Sequence, residues 1–325
     1  MTVCIAALCD VRLGPSARQP VPFPNGVLCI SDRMLTSSAL EIEFEPAQKK
    51  IYDFGHGNTI ALVAGDTSTT IMLCDRTRAR LGRKMRVADV AATYASEYVR
   101  LRQERNERKY LAPLGLATET FAGATGAMSP VLAMQLANDL RWEQLGCEAL
   151  ICGTDLDGAH IYVVRDPGQA DCADVVGFAA IGVGQPHAET ILMDARYTRD
   201  EPLATAMLLL YTAKRRAEVA PGVGAETDVV VLTPFNSPPR PVPVSPHIVS
   251  QLGSIYDGQK EAEVTAHRTA REAIDKFLEQ VLTPPPPLPG IAPSAPEGAD
   301  PSPTTPDSSS PLPSPGSDES PSPAS

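Results

Sequence analysis

The chain opens on Thr2-Val3-Cys4-Ile5-Ala6-Ala7-Leu8-Cys9, a nearly uninterrupted apolar run whose length and Val and Ile content suit a buried strand. A loop rich in Gly14, Pro15, Pro20, Pro22, Pro24, Asn25 and Gly26 follows, and then Val27-Leu28-Cys29-Ile30-Ser31-Asp32. The two runs read as a hairpin with a long connection. Ile42 and Phe44 alternate with Glu41, Glu43 and Glu45, as in a half-exposed strand. Residues 50–54 and 59–64 complete a set of about five strands before residue 65.

Helical spacing then takes over. Val87, Val90, Ala91, Tyr94, Tyr98 and Leu101 fall on one face of an amphipathic helix. Residues 67–81, entered through Gly65-Asp66, predict another, and residues 131–142 a third, after a Gly-, Ala- and Thr-rich insertion. Strands resume at 149–152, 161–164 and 175–181. Helices are expected at 187–195 and 202–218, and a strand at 228–232. Blocks of strands and helices, rather than strict alternation, predict an α+β fold. A Pro-rich linker begins at 234. It leads to a last helix carrying Ala270, Ile274, Phe277, Leu278 and Val281 on one face.

Composition narrows the function classes. The chain has 325 residues, 43% of them hydrophobic, with 39 acids against 28 bases and a net charge of −11. That balance argues against nucleic acid as a partner and offers no basic stripe for a membrane. No apolar stretch approaches the roughly 18 residues of a membrane span. No basic segment precedes the first apolar run, so no signal peptide is expected. The seven cysteines form no CxxC pair and sit mostly in apolar runs, which points to a reduced, cytoplasmic setting. Neither they nor the five histidines show metal-ligand spacing, so no metal and no cofactor is expected. Of the 32 prolines, 15 fall in residues 284–325 with five acids and no Lys, Arg or aromatic, a composition that predicts disorder. The expected organisation is a domain over 1–233, a linker and amphipathic helix over 234–282, and a disordered tail over 283–325.

Thr2 carries the chemistry. Removal of Met1 would leave a hydroxyl nucleophile and a free α-amine on one residue. The amine's reference pKa of roughly 7.7–8.0 suits it to take the hydroxyl proton near neutrality. Asp32, at the end of the second strand, could hold a lysine of Lys49-Lys50-Ile51 close to Thr2. That ammonium would stabilise the deprotonated hydroxyl and lower the amine pKa. Gly65, at a strand-to-helix turn, could offer its amide to an oxyanion. Each feature alone has a plainer explanation: an ordinary first residue, a surface ion pair, a turn glycine.

In order, these segments resemble one family. Thr2 opening a strand, residues 27–32 with Thr36 four residues beyond Asp32, Lys49-Lys50-Ile51 and Ile60-Ala61-Leu62-Val63-Ala64-Gly65 look like the proteasome β-subunit group, which includes HslV-like proteases and belongs to the N-terminal-nucleophile (Ntn) hydrolases. Residues 178–188, with Gly182-Val183-Gly184, resemble the family's Gly-Ser-Gly turn. Residues 213–232 resemble its last core helix, Gly-rich turn and strand. The resemblance covers roughly 2–233 and implies a four-layer αββα sandwich, a homo-oligomeric ring and a threonine peptidase acting on polypeptide or amide substrates. An ATPase regulator is compatible with it. Carried over, Thr2 is the nucleophile and Lys50 the activating charge. Asp32 is its partner, and Gly65 the oxyanion donor. Thr36 and Val63 are substrate-binding positions. Lys49 rivals Lys50, which is preferred because it directly precedes the β-branched Ile51.

The chain departs from the family at Val183, Glu218 and Pro221, which stand where the family has Ser, Asp and Ser. Two rival functions follow: a catalytically silent ring or assembly subunit, and a small-molecule Ntn amidase. Plainer explanations are preferred elsewhere. Trp142 and the Tyr94/Tyr98 stripe read as helix packing, and Asp155-Leu156-Asp157-Gly158 as a hairpin turn. Residues 214–216 and 100–109 read as solvated helix faces.

Overall fold

The computed structural model describes residues 2–12, 26–37, 42–44, 50–55, 58–82, 85–234 and 240–282, with backbone alone at 35–37 and 42–44. The expected tail at 283–325 and most of the loop before Gly26 lie outside the described residues. In chain order the elements are β1 (Cys4–Cys9), β2 (Gly26–Asp32), β3 (Leu35–Ser37), β4 (Ile42–Phe44), β5 (Ile51–Asp53) and β6 (Asn58–Gly65). Then come α1 (Thr67–Arg80), α2 (Val87–Asn106), α3 (Thr118–Ala124) and α4 (Pro130–Trp142). β7 (Cys147–Asp155), β8 (Gly158–Arg165), β9 (Gln169–Cys172), β10 (Phe178–Ile181), α5 (Gln185–Asp194) and α6 (Leu203–Ala217) follow, before β11 (Thr227–Leu232), β12 (Val242–Pro243) and α7 (Pro246–Leu282).

The fold is mixed α and β, with two five-stranded antiparallel sheets. One has the order β10-β1-β2-β11-β12 and the other β5-β6-β7-β8-β9. The apolar run of β1 is buried along its whole length because its two faces enter different cores. Val3, Ile5, Ala7 and Cys9 join Leu28, Ile30, Ala206 and Leu210 in a core shared with α5 and α6. Cys4, Ala6 and Leu8 face the other way, into a core shared with Ile60, Leu62, Leu150 and Cys152 of the second sheet. The second sheet's remaining face meets Val87, Val90, Ala91, Tyr94, Tyr98 and Leu101 of α2, the face expected from their spacing. A strand covered on both sides cannot show alternation, which is why β1 reads as a continuous run.

Local signals set the helix starts. Asp66 caps α1 by accepting from the Thr69 amide at 2.8 Å. Burial opposes ionisation there, yet hydrogen bonds from Ser68 and Thr69 hold the Asp66 carboxyl below its usual range. Ser129 caps α4, with Pro130 in its first turn.

Several expectations are corrected. The strand expected from 175 begins at Phe178, after Gly177 at φ 85° turns the chain, and Val175 and Val176 are exposed. β9 and α3 arise in segments where no element was expected. Trp142 is 68% exposed under the Arg141 guanidinium rather than packed. Asp155 and Gly158 do pair as the ends of a tight hairpin turn. Residues up to His267 form one compact unit, and a second begins at Arg268. In the second unit's described part Ile274, Phe277, Leu278 and Val281 are exposed. No helix among the described residues is long and apolar enough to cross a membrane.

Candidate active site

Strand pairing brings Thr2 and Asp32 together. β1 lies antiparallel between β2 and β10, with Cys4 opposite both Ser31 and Ile181. The start of β1 therefore meets the end of β2. There the Asp32 amide donates to the Val3 carbonyl at 3.2 Å, and the Val3 amide donates to Asp32 Oδ1 at 2.9 Å. Lys50 arrives from the other sheet, immediately before β5.

The three side chains make one buried cluster. The Thr2 hydroxyl donates to Asp32 Oδ1. Lys50 Nζ donates to Thr2 Oγ1 at 2.5 Å and lies 3.0 Å from each Asp32 carboxylate oxygen. Asp32 Oδ2 also accepts from the amides of Met34 at 3.0 Å and Gly224 at 3.1 Å. Asp32 is fully buried, and Thr2 and Lys50 are 2% and 7% exposed. A buried carboxylate costs several kcal/mol in lost hydration unless charge and donors replace the water. Here an ammonium, a hydroxyl and three backbone amides do so. The surface ion pair considered for Asp32 and Lys50 is thereby replaced by an interior one.

The cluster opens on a cleft of about 660 Å³ lined by Thr2, Ala64, Gly65, Glu148, Gly182 and Val183, among others. Gly65 sits there at φ +103°, where a Cβ would come within 2.2 Å of the Gly146 carbonyl oxygen and 2.7 Å of Cys147 Cα. Only glycine lets the chain turn from β6 into α1 at this point while staying paired with β7. Thr36 is placed by backbone in β3, opposite Glu43; its side chain and Lys49 lie outside the described residues. Val63 is half-buried on the face of β6 that packs toward α1 and α2. It does not line the cleft that holds Thr2 and Gly65.

Two thiols are near but ill-suited as nucleophiles. Cys4 Sγ donates to the Val63 carbonyl at 3.5 Å, and burial pushes its pKa up to about 12. Cys147 lines the cleft and is likewise pushed up to about 12 by burial. Thiols in that range stay protonated and unreactive near neutrality.

Other residues at the site were not anticipated. Lys214 had been expected on a solvated helix face, but it is fully buried. Its ammonium donates to Glu218 at 2.7 Å and to the Ala225 carbonyl at 2.6 Å, securing the turn whose Gly224 amide reaches Asp32. Glu218 is therefore engaged by Lys214. Asp228 is held by the Arg33 guanidinium through two bonds of 2.7 and 2.8 Å beside the same turn. Glu148 accepts from the Gly182 amide at 2.9 Å. Lys214 shares its side of the helix with Leu210 and Ala217, but Arg215 and Arg216 beside it make the segment read as solvated. Nothing in the sequence marked Glu148, whose neighbours belong to distant strands. Val183 is 45% exposed, and neither it nor Pro221 carries a hydroxyl.

Neither a scan of the sequence against family models nor a search of curated proteins yields a match.

Proposed function

We propose that the protein is an N-terminal-nucleophile hydrolase of the threonine type, cleaving peptide or other amide bonds with Thr2 after loss of Met1. One observation carries this: the Thr2 hydroxyl lies between an ammonium and a carboxylate that are both buried, and Thr2 lines a cleft. The proposed architecture is the four-layer αββα sandwich, and the order of the motifs supports it together with the three helix- and sheet-bounded cores. The freed α-amine takes the hydroxyl proton as Oγ1 attacks the carbonyl carbon. Lys50 stabilises the alkoxide, and Asp32 fixes Lys50. The Gly65 amide receives charge on the carbonyl oxygen in the tetrahedral intermediate. The amine then passes its proton to the departing nitrogen, leaving an ester on Thr2. Water, deprotonated by the same amine, hydrolyses that ester and restores the hydroxyl.

The proposal extends to a homo-oligomeric ring in a cytoplasmic setting. A catalytically silent subunit is the second reading, favoured by the absent hydroxyls at Val183 and Pro221. One experiment separates them. Intact mass should show Met1 removed, and Thr2→Ala should lower hydrolysis of a broad peptide and amide panel by at least about 10³-fold. Retained Met1, or equal rates for the two proteins, overturns catalysis by Thr2.

A further inference from the structure

We propose that the Glu148 carboxylate holds and tunes the α-amine that Thr2 gains on losing Met1, an inference that rests on the Thr2-nucleophile reading. An amine that must accept a proton and then deliver it has to be held in one orientation, and its pKa must lie near the working pH. Lys50 and Asp32 engage the hydroxyl of Thr2. Lys50, a like charge to the protonated amine, biases it toward deprotonation. Asp32 offsets that charge but is taken up by Lys50, the Thr2 hydroxyl and backbone amides, so a second carboxylate facing the amine would hold it in place and keep it basic.

Strand register and one hydrogen bond place Glu148 for this. In the register of β6 and β7 it lies opposite Ala64, one position from the Gly65–Cys147 pair at the cleft. Its Oε2 accepts from the Gly182 amide at 2.9 Å. Gly182 in turn lies directly on Thr2: at φ +86°, a Cβ there would come within 2.4 Å of the Thr2 carbonyl oxygen and 2.9 Å of Thr2 Cγ2. The next turn residue but one, Gly184, donates its amide to that same carbonyl at 3.2 Å. Glu148 is thus tied to the turn whose Gly182 packs on Thr2 and whose Gly184 bonds the Thr2 carbonyl, and Glu148 and Gly182 line one cleft. Among the described residues, Oε1 of Glu148 has no donor.

Two other charged residues, Arg165 and Asp166, line this cleft. Asp166 accepts from the amides of Leu145 at 3.2 Å and Gly146 at 3.4 Å, which ties it to its own turn. Arg165 lines the cleft as a cation, and Lys214, which does not line it, holds Glu218. Glu148 is accordingly a positioning residue: it makes no bond to substrate and changes no bond order, but orients the amine and raises its pKa against the influence of Lys50. A hydroxyl at position 183 is then unnecessary for holding that amine.

The test titrates the amine directly and needs no substrate. Protein freed of Met1 is reductively methylated with ¹³C-formaldehyde, and the N-terminal dimethylamine resonance is followed against pH. In Glu148→Gln, whose amide oxygen can still accept from Gly182, the amine pKa is expected to fall by about 1. The acid limb of the pH–rate profile should move down with it, and the rate at its optimum should drop about 10- to 100-fold. Glu148→Asp, which keeps the charge at a greater distance, should lie between, and serves if the Gln variant does not fold. An amine pKa unchanged in the variants overturns the role of Glu148 and leaves Thr2 catalysis standing, provided Thr2→Ala is inactive. Retained Met1, or an active Thr2→Ala, overturns both.

Discussion

Lys50 and Lys214 are both buried near Asp32, yet their ammonium groups hold different things. Lys50 donates to the hydroxyl of Thr2, which lines a cleft, and to both oxygens of a fully buried carboxylate. Lys214 donates to Glu218, which is 21% exposed, and to a backbone carbonyl. Burial pulls the Lys214 ammonium below its usual range, and the Glu218 carboxylate draws it part of the way back. The contrast teaches that burial of a lysine does not define a catalytic role. What separates the two is their acceptors: the Thr2 hydroxyl and a buried carboxylate in one case, a partly exposed carboxylate and a turn's carbonyl in the other.

The largest expected effect comes from Lys50. Lys50→Met leaves the Asp32 carboxylate in the interior without a counter-charge, and breaking such a pair costs about 3–5 kcal/mol. Urea unfolding should show that loss together with loss of hydrolysis. A stability equal to wild type would mean that Asp32 is compensated by its backbone donors alone, and the comparison with Lys214 would collapse.

Lys214→Met should do less. It leaves the Ala225 carbonyl without its donor and Glu218 without its partner, at about 1–3 kcal/mol. It also loosens the turn that presents Gly224 to Asp32, so the maximal rate should fall about 10-fold with KM little changed. The sign of the pH effect follows from the lowered pKa of the folded state. Between that value and the unfolded value of about 10.4, the unfolded chain binds more protons. The burial penalty is therefore complete below the folded pKa and relieved as pH rises through it. Wild type should gain on Lys214→Met between neutral and alkaline pH. A gain in the opposite direction would show that Lys214 is not held in a desolvated state.

The two lysines also differ in how far sequence foretells them. Lys50 was legible because Lys49-Lys50-Ile51 occurs in order between Asp32 and Gly65, and Thr2, Asp32 and Gly65 were legible for the same reason. Strand register then converts that order into proximity. β1 and β6 were legible from apolar runs, and α2 from its spacing. Lys214 was hidden in Lys214-Arg215-Arg216, a run that looks solvated until α6 is known to pack one side on β1 and β2. Glu148 was hidden for a different reason: its partner Gly182 is 34 residues away, in the turn that follows β10 of the other sheet. A single sequence carries periodicity within an element, but not which elements become neighbours.

His160 extends the comparison to a cation that is not fully buried. Its Nδ1 lies 2.7 Å from Asp174 Oδ2 and its Nε2 lies 3.2 Å from Asp155 Oδ1, with the side chain 20% exposed. The hydrogen bond with Asp174 raises its pKa, burial opposes the rise, and the charges of Asp174 and Asp155 add to it. Protonated imidazole donates from both nitrogens, so it can satisfy both carboxylates, while the neutral ring can donate to one. Because the folded pKa is raised, the stabilisation is fully present below the unfolded value of about 6.5 and is lost as pH rises through the folded value. Solvent screening limits it to about 0.5–1 kcal/mol. The stability difference between wild type and His160→Gln, from urea unfolding, should therefore be larger at pH 5.5 than at pH 8.5. Measurements stay above pH 5 because Asp174 introduces an opposing term in acid: burial would raise its carboxyl, but bonds from His160 and Ile161 hold it low, and that contribution is lost as pH falls. A difference independent of pH would mean that the neutral ring serves equally well, and that the carboxylates of this hairpin need shape rather than charge from their partner.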